Sequence, residues 1–157
     1  MSSHTPVCEL LGIDHPIVLA PLATDPRLPA AVSNAGGLGS LGLSWSDDAG
    51  QVVRATAALT ARPFAGNFVL FADQRRRIDR ALSAGLRVVS LIWGDPCSYV
   101  EPVHDAGGLV MHTVGSAEEA RKAAECGVDI IVAQGWEAGG HVWGGVCLLY
   151  TSPSPRD

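Results

Sequence analysis

Positive charge is scarce in this sequence. Eleven Lys and Arg stand against sixteen Asp and Glu, a formal charge of −5, and the longest basic run is the trio Arg75, Arg76 and Arg77. Nucleic-acid binding needs a basic patch that neutralises phosphates, so this composition argues against a nucleic-acid partner. The arginine trio reads as the solvated face of a helix. Cysteine is sparse as well. Cys8, Cys97, Cys126 and Cys147 lie far apart, with no C-x-x-C pair and no histidine at zinc-finger spacing, which points to a reducing compartment and to no structural metal. No apolar stretch approaches the roughly 18 residues that cross a bilayer, and MSSHTPVCELLG lacks the basic-then-apolar order of a secretory leader. The expectation is a cytoplasmic protein with no membrane partner. Charge is low at 17% and hydrophobic content is 47% of 157 residues, the balance of a folded globular protein.

What is present is a repeat. Short β-rich apolar runs recur at Pro16 to Leu22, Leu38 to Leu43, Phe64 to Phe71, Arg87 to Trp93, Leu109 to Val114 and Asp129 to Gln134. Most are apolar at both parities, as strands covered on both faces require, which favours parallel pairing. Helical patterns lie between them. In SAEEARKAAECG, Ser116 and Glu119 form a capping box and Gly127 supplies the left-handed stop. After Phe71, Asp73 caps a helix with Ile78, Ala81 and Leu82 on one face and Gly85 at its end. Val52, Thr56 and Leu59 repeat the scheme before Arg62-Pro63 breaks it. The helix between the fourth and fifth runs is weaker, because Pro102 fits only a first turn. A strand-helix repeat of this period suits a doubly wound sheet or an eight-fold barrel, and the period alone does not choose. Both architectures place chemistry at the carboxyl ends of the strands.

The last eleven residues, CLLYTSPSPRD, abandon the repeat and resemble the in-frame translation of a sequencing adapter. The expected organisation is a partial barrel over 1–146 and a non-native tail over 147–157, with the true coding sequence continuing past Val146.

Several constellations fall on the carboxyl ends. The glycines of SNAGGLGSLG, residues 33–42, close a helix and open a strand. That is the reverse of a dinucleotide fingerprint, so Gly36 and Gly37 read as a helix stop and Gly39 and Gly42 as points of close approach. Ala20, Pro21 and Leu22 end the first run, where proline removes a donor and stiffens the exit. Asn67, inside FAGNFVLF, needs partners if it points inward, since an unpaired buried amide costs about 1–3 kcal/mol. His112, inside LVMHTV, reads as a satisfied interior histidine. The densest signal is QGWEAGGH, residues 134–141. There Gln134 ends a strand, the glycines at 135, 139 and 140 let main-chain N–H groups approach a ligand, and His141 is presented for proton transfer. Glu137 reads as a solvated loop carboxylate, and no second ligand stands at metal spacing.

Taken together, ELLGIDHPIVLAPLA, AAVSNAGGLGSLG, the asparagine of GNFVLF, VVSLIWG and above all IIVAQGWEAGGH resemble the nitronate monooxygenase family over roughly residues 9–146. The resemblance implies a (β/α)8 barrel, here ending after about the sixth strand, that binds FMN non-covalently. It implies that Ala20, Pro21 and Leu22 line the flavin, that Asn67 and Gln134 hydrogen-bond it, that Gly139 and Gly140 pass close to it, and that His141 is the catalytic acid/base. Leu22 stands where the family usually has methionine, a swap of similar volume. A whole barrel of this kind takes about 250 residues and holds its phosphate after strands seven and eight, which this sequence does not include. The implied chemistry is oxidation of an alkyl nitronate or nitroalkane by dioxygen through FMN, giving a carbonyl compound and nitrite. Two alternatives stand beside it: an NAD(P)H-dependent FMN reductase of quinones or of enoyl-acyl-carrier-protein, and a non-enzymatic broken barrel.

Overall fold

The computed structural model describes residues 5–22 and 24–147. The tail assigned above therefore lies, apart from Cys147, outside the described residues. The order of elements is α1 (Pro6–Leu11), α2 (Arg27–Asn34), β1 (Gly39–Gly42), α3 (Ala49–Ala57), β2 (Phe64–Val69), α4 (Arg75–Ser83), β3 (Val88–Ile92), α5 (Cys97–Asp105), β4 (Leu109–Val114), α6 (Ala117–Glu125) and β5 (Ile130–Ala133). The five strands form one sheet in the order β1-β2-β3-β4-β5, and every pair is parallel. A doubly wound sheet reverses its strand order at a switch point. This one never reverses, and the architecture is that of a (β/α) barrel wall.

Five of the six expected strands are present. Pro16 to Leu22 makes only a single parallel bridge, Val18 to Leu38, supported by Leu19 N–H to Leu38 O at 2.9 Å and Leu38 N–H to Ile17 O at 2.9 Å. Pro16 and Pro21 bracket the run and supply no N–H, so the ladder has little to extend it.

Strand parity divides the core in two. Leu41, Leu43, Phe68, Val89, Leu91, Val110 and Val114 face the helices and pack with Val53, Ile78, Leu82, Tyr99 and Val103. On the opposite face Leu38, Ala65, Val88 and Met111 meet Cys8, Leu11 and Ile13 from the α1 segment, which closes the amino-terminal end of the sheet. On this same face two polar residues sit among apolar ones, with Val69 and Ile92 beyond them at the carboxyl ends. The neighbours in register are Asn67 and Ser90.

The helices follow their sequence signals with informative differences. Ser116 Oγ accepts from Glu119 N–H at 3.2 Å, and Gly127 takes φ 87°. The Glu119 carboxylate, however, reaches Gly115 N–H at 2.7 Å, one residue before the cap. Asp73 accepts from Arg75 N–H at 3.0 Å, although Gln74 is the residue at the cap position. Leu59 falls beyond α3 and is exposed, because the apolar face is set by Ala49, Val53 and Thr56 instead. Pro102 stands inside α5, well past its first turn; the helix continues through it because Tyr99, Val100 and Val103 are buried against the sheet, tertiary packing that offsets the lost bond. Gly39 is indeed a point of close approach, since a Cβ there would run into the Pro29 carbonyl of α2.

Two separations in sequence are undone by the fold. The expectation of four separate thiols is corrected: Cys97 at the start of α5 and Cys126 after α6 are joined as a disulfide with a Cα–Cα distance of 5.0 Å. Spacing of 29 residues gives no sequence cue for that pairing. His112, expected to be satisfied, is buried on the helix face, yet its Nδ1 has no hydrogen-bond partner.

Burial pushes the His112 imidazole below its ordinary pKa of 6.5, against the opposing pull of the Leu91 main chain and of the Glu119 and Asp95 carboxylates. The unfolded chain therefore binds the proton more readily than the folded one. Stability linked to this group is complete above pH 6.5 and is lost as pH falls below it. The thermal midpoint should decline between pH 7.5 and 5.5, and His112→Gln should flatten that decline; a slope unchanged by the substitution would assign it to other groups.

Candidate functional site

The carboxyl ends of the strands are where the polar residues gather. Asn67 is 8% exposed, on the face opposite the helices, and its amide nitrogen donates to Ser90 Oγ at 3.1 Å. The Asn67 side-chain oxygen takes no hydrogen bond from the described residues. Above it the backbone ladder continues past the strands, with Leu43 N–H to Asn67 O and Leu70 N–H to Ile92 O, both at 2.9 Å. Ser44 Oγ accepts from Val69 N–H at 2.8 Å. The Ala20-Pro21-Leu22 segment emerges from its bridge as an exposed tight turn, Leu22 N–H to Ala20 O at 2.9 Å.

After β5 the chain leaves regular structure, and residues 134–147 form a loop pinned by side chains. Gln134 holds it from below: its Oε1 accepts from Trp143 N–H at 2.7 Å and its Nε2 donates to the His141 carbonyl at 3.3 Å. Glu119 holds it from the side, its two carboxylate oxygens accepting from Trp143 Nε1 at 2.8 and 2.9 Å. Trp136 N–H to Val146 O at 3.0 Å closes the base. Glycine is required where the loop folds onto the sheet. A Cβ on Gly144 would collide with the Gln134 carbonyl, and one on Gly115 would lie 2.8 Å from Trp143 Cδ1. Gly139 and Gly140 differ, having no atom within 4 Å of a built Cβ. Their main chain is open.

This arrangement brings His141 out of the chain and onto the rim. Its ring meets Trp93 edge-on at 5.5 Å between centroids. Trp93 in turn lies 6.1 Å from Trp143. Trp93, the last residue of the fourth run, stands at a strand's carboxyl end where the sequence locates chemistry; it has φ 61°, the one non-glycine residue of positive φ among those described, and its Nε1 is buried without a partner. The cue available was W-G-D-P directly after a strand. Glu119, read only as a cap, was missed as a loop anchor.

A hollow of about 300 Å³ lies beside the loop, lined by Thr113, Val132, Gln134, Gly135, Glu137 and Ala138. A larger one of about 420 Å³, between α4 and α5, includes Arg75, Tyr99 and Arg87. The smaller is the relevant one, because it opens at the strand ends where barrels place chemistry. Near the rim, Lys122 and Asp95 pair at 2.6 Å. That bond, followed by one from Cys97 N–H, holds the Asp95 carboxyl below the usual carboxylate range. Among the described residues Asp95, Cys97 and Cys126 are the group close enough to share a cation, but the two sulfurs are bonded to each other and the carboxylate to Lys122.

A model of the nitronate monooxygenase family matches residues 4–81 and again 69–146. The chain belongs to the nitronate monooxygenase family. Among curated relatives, a Mycobacterium tuberculosis protein named (3aS,4S,5R,7aS)-5-hydroxy-7a-methyl-1-oxo-octahydro-1H-indene-4-carboxyl-CoA dehydrogenase is 34% identical over 100% of this chain and 45% of its own. The nitronate monooxygenase of Paraburkholderia phytofirmans is 34% identical over 84% of this chain and 48% of its own. FabK from Thermotoga maritima superposes with a TM-score of 0.85 at 33% identity, over 91% of this chain and 47% of that one. The chain thus spans about half the length of the relatives it matches, all of them oxidoreductases by name or family.

The loop geometry makes its own prediction. Glu119→Ala leaves the Trp143 indole and Gly115 N–H without their acceptor, a loss of about 1–2 kcal/mol confined to the surface loop. Proteolytic nicking between residues 135 and 146 should accelerate while the thermal midpoint of the sheet moves little; an equal loss in both would make Glu119 a determinant of the whole fold.

Proposed function

We propose that this site serves FMN-dependent oxidation of alkyl nitronates by dioxygen, with carbonyl compound and nitrite as products. The single observation that carries the reading is an imidazole, His141, presented at the carboxyl rim on a glycine-spaced loop. The family match supports the same reading.

The residues present fit the flavin. The Asn67 amide oxygen takes no hydrogen bond from the described residues on the face opposite the helices, the Ala20–Leu22 turn is bare, and Gly139 and Gly140 leave their main chain uncovered. Gln134 is assigned to the cofactor as well, but both ends of its amide now bind the loop, so it would exchange Trp143 N–H or the His141 carbonyl for the ring. When bound, FMN supplies the two-electron chemistry and passes the electrons to dioxygen. The chain's own part is positional and acid-base. His141 removes the α-proton of a neutral nitroalkane or donates a hydrogen bond to the oxyanion of a nitronate. The pinned loop fixes where that imidazole stands.

A second reading is favoured by the Mycobacterium relative, which aligns with the full length of this chain: oxidation of a carboxyl-CoA thioester at the same rim. The NAD(P)H-dependent reductase is the third. All three separate in one anaerobic experiment on FMN-loaded protein, in which flavin bleaching is followed after adding propyl nitronate, an acyl-CoA or NADH. Bleaching by nitronate with nitrite release on admitting air is the expected result; bleaching by NADH alone overturns it.

His141→Ala should lower turnover on neutral nitroalkane by roughly 10²–10⁴-fold and far less on preformed nitronate. Equal losses would make His141 a positioning group. A cytoplasmic setting belongs to the same proposal. It predicts that the bond joining Cys97 and Cys126 in the structure is open in the cell, so that both are recovered as alkylatable thiols from cells lysed under alkylation, since that compartment keeps cysteines reduced; an intact bond would argue against that setting.

A further inference from the structure

Three aromatic rings follow one another along the carboxyl rim, outside the residues assigned above. Trp45 comes from the loop after β1, Phe71 from the loop after β2 and Trp93 from the loop after β3. Their centroids are 6.2 Å apart for Trp45 and Phe71 and 6.4 Å for Phe71 and Trp93, with tilts of 39° and 57°. The strip ends on His141. Trp45 is 66% exposed and Phe71 64%, although neither is needed to cover the core.

Such a row calls for a cause. Tilted aromatic pairs at these separations gain only about 0.5–1.5 kcal/mol each, while large exposed apolar patches mark binding surfaces. The ring nearest His141 also carries two costs. A tryptophan at positive φ is strained, and its buried Nε1 lacks an acceptor. Gly94, next in sequence, takes φ 66°, so the left-handed turn is continued rather than relieved. Strain of this kind persists where the surroundings over-determine it, commonly at ligand sites.

We infer that Trp45, Phe71 and Trp93 form a subsite for the apolar, ring-bearing body of a ligand whose reacting end lies at His141. This rests on the reading of His141 as the reactive pole. The strip is too small for a macromolecular partner: three rings offering at most roughly 250 Å² each fall short of the roughly 800 Å² per side of a stable interface. It is also longer than a two- or three-carbon nitroalkane needs, so the natural ligand is larger than the simplest substrates of such chemistry. A phenyl or fused-ring body would cover Phe71 and reach Trp45.

Calorimetric titration of the chain with nitroethane, 1-nitro-2-phenylethane and 3-phenylpropionate tests this, comparing the native sequence with Trp45→Ala. Trp45 is exposed, so its removal leaves the core intact, which circular dichroism verifies. The phenyl nitro compound should bind at least about tenfold more tightly than nitroethane, the gain expected from burying one ring. Trp45→Ala should abolish most of that gap and leave nitroethane unchanged. If phenylpropionate shows the same Trp45-dependent gain while neither nitro compound binds, the subsite stands and the nitronate reading falls. Affinity that ignores the ring, or a gap that survives Trp45→Ala, overturns the subsite. So does a change of oligomeric state in Trp45→Ala with ligand affinity unaltered, which would make the strip a self-association surface.

Discussion

The structure depends on one constraint, that a parallel strand covered by a helix can spend only alternate residues on that helix. In β2, β3 and β4 the residues at one parity are committed to the helix layer, and a one-residue slip would exchange the two faces entirely. The other parity is thereby released. At the amino-terminal ends it is filled by α1-side residues and stays apolar. Toward the carboxyl ends Asn67 and Ser90 occupy it in register, followed by Val69 and Ile92. Asn67 and Ser90 can be polar there because the fold does not commit that parity to the helix layer.

Presenting an imidazole from such a rim raises a second problem, because a loop with few apolar contacts has little to hold it. The chain answers with directed hydrogen bonds in place of burial. Gln134 binds the loop through both ends of one amide, and Glu119 does so through both oxygens of one carboxylate. Each bond restricts the loop without drawing it into the core, and the glycines at 115 and 144 let the two backbones come close enough for these bonds to form. The consequence for ligand binding is competition. A ligand that seeks the Gln134 amide must match what Trp143 N–H already gives it.

Much of this was legible in the sequence, and the parts that were not share a physical cause. The strand-helix period, the Ser116 cap and the Gly85 and Gly127 stops follow from local rules that hold wherever the chain is placed, whereas the face taken by Asn67 is set by its pairing with Ser90. The barrel did not follow from the period. It came from the unreversed strand order, a property of pairing between segments, or from family resemblance. Pro16 to Leu22 was misjudged because apolar composition does not supply donors, and two prolines left a bridge where a strand was expected. Cys97 with Cys126, Glu119 with Trp143 and Trp93 with His141 are all meetings of residues from different βα units. Spacing carries no record of them. The QGWEAGGH candidates stand out in the sequence because their chemistry is concentrated in eight consecutive positions, whereas the aromatic strip is spread one residue per loop and shows only when the loops are set side by side.

The contrast between the two kinds of glycine in the loop bears on how the site works. Gly144 and Gly115 are tight, and any side chain there would meet backbone or indole. Gly139 and Gly140 are open, and sterics within the chain give no reason for their lack of side chains. Gly140 does need its φ of 77°, which disfavours other residues, but Gly139 is not held at positive φ. A position that is neither crowded by its own protein nor conformationally special, yet bears no side chain, is explained most economically by something outside the chain that must approach it. That residue lies two positions before His141, whose ring meets Trp93 at the end of the aromatic strip. On the proposed reading, the bare main chain leaves room for a flat cofactor and the strained indole directs an apolar ligand toward the same imidazole.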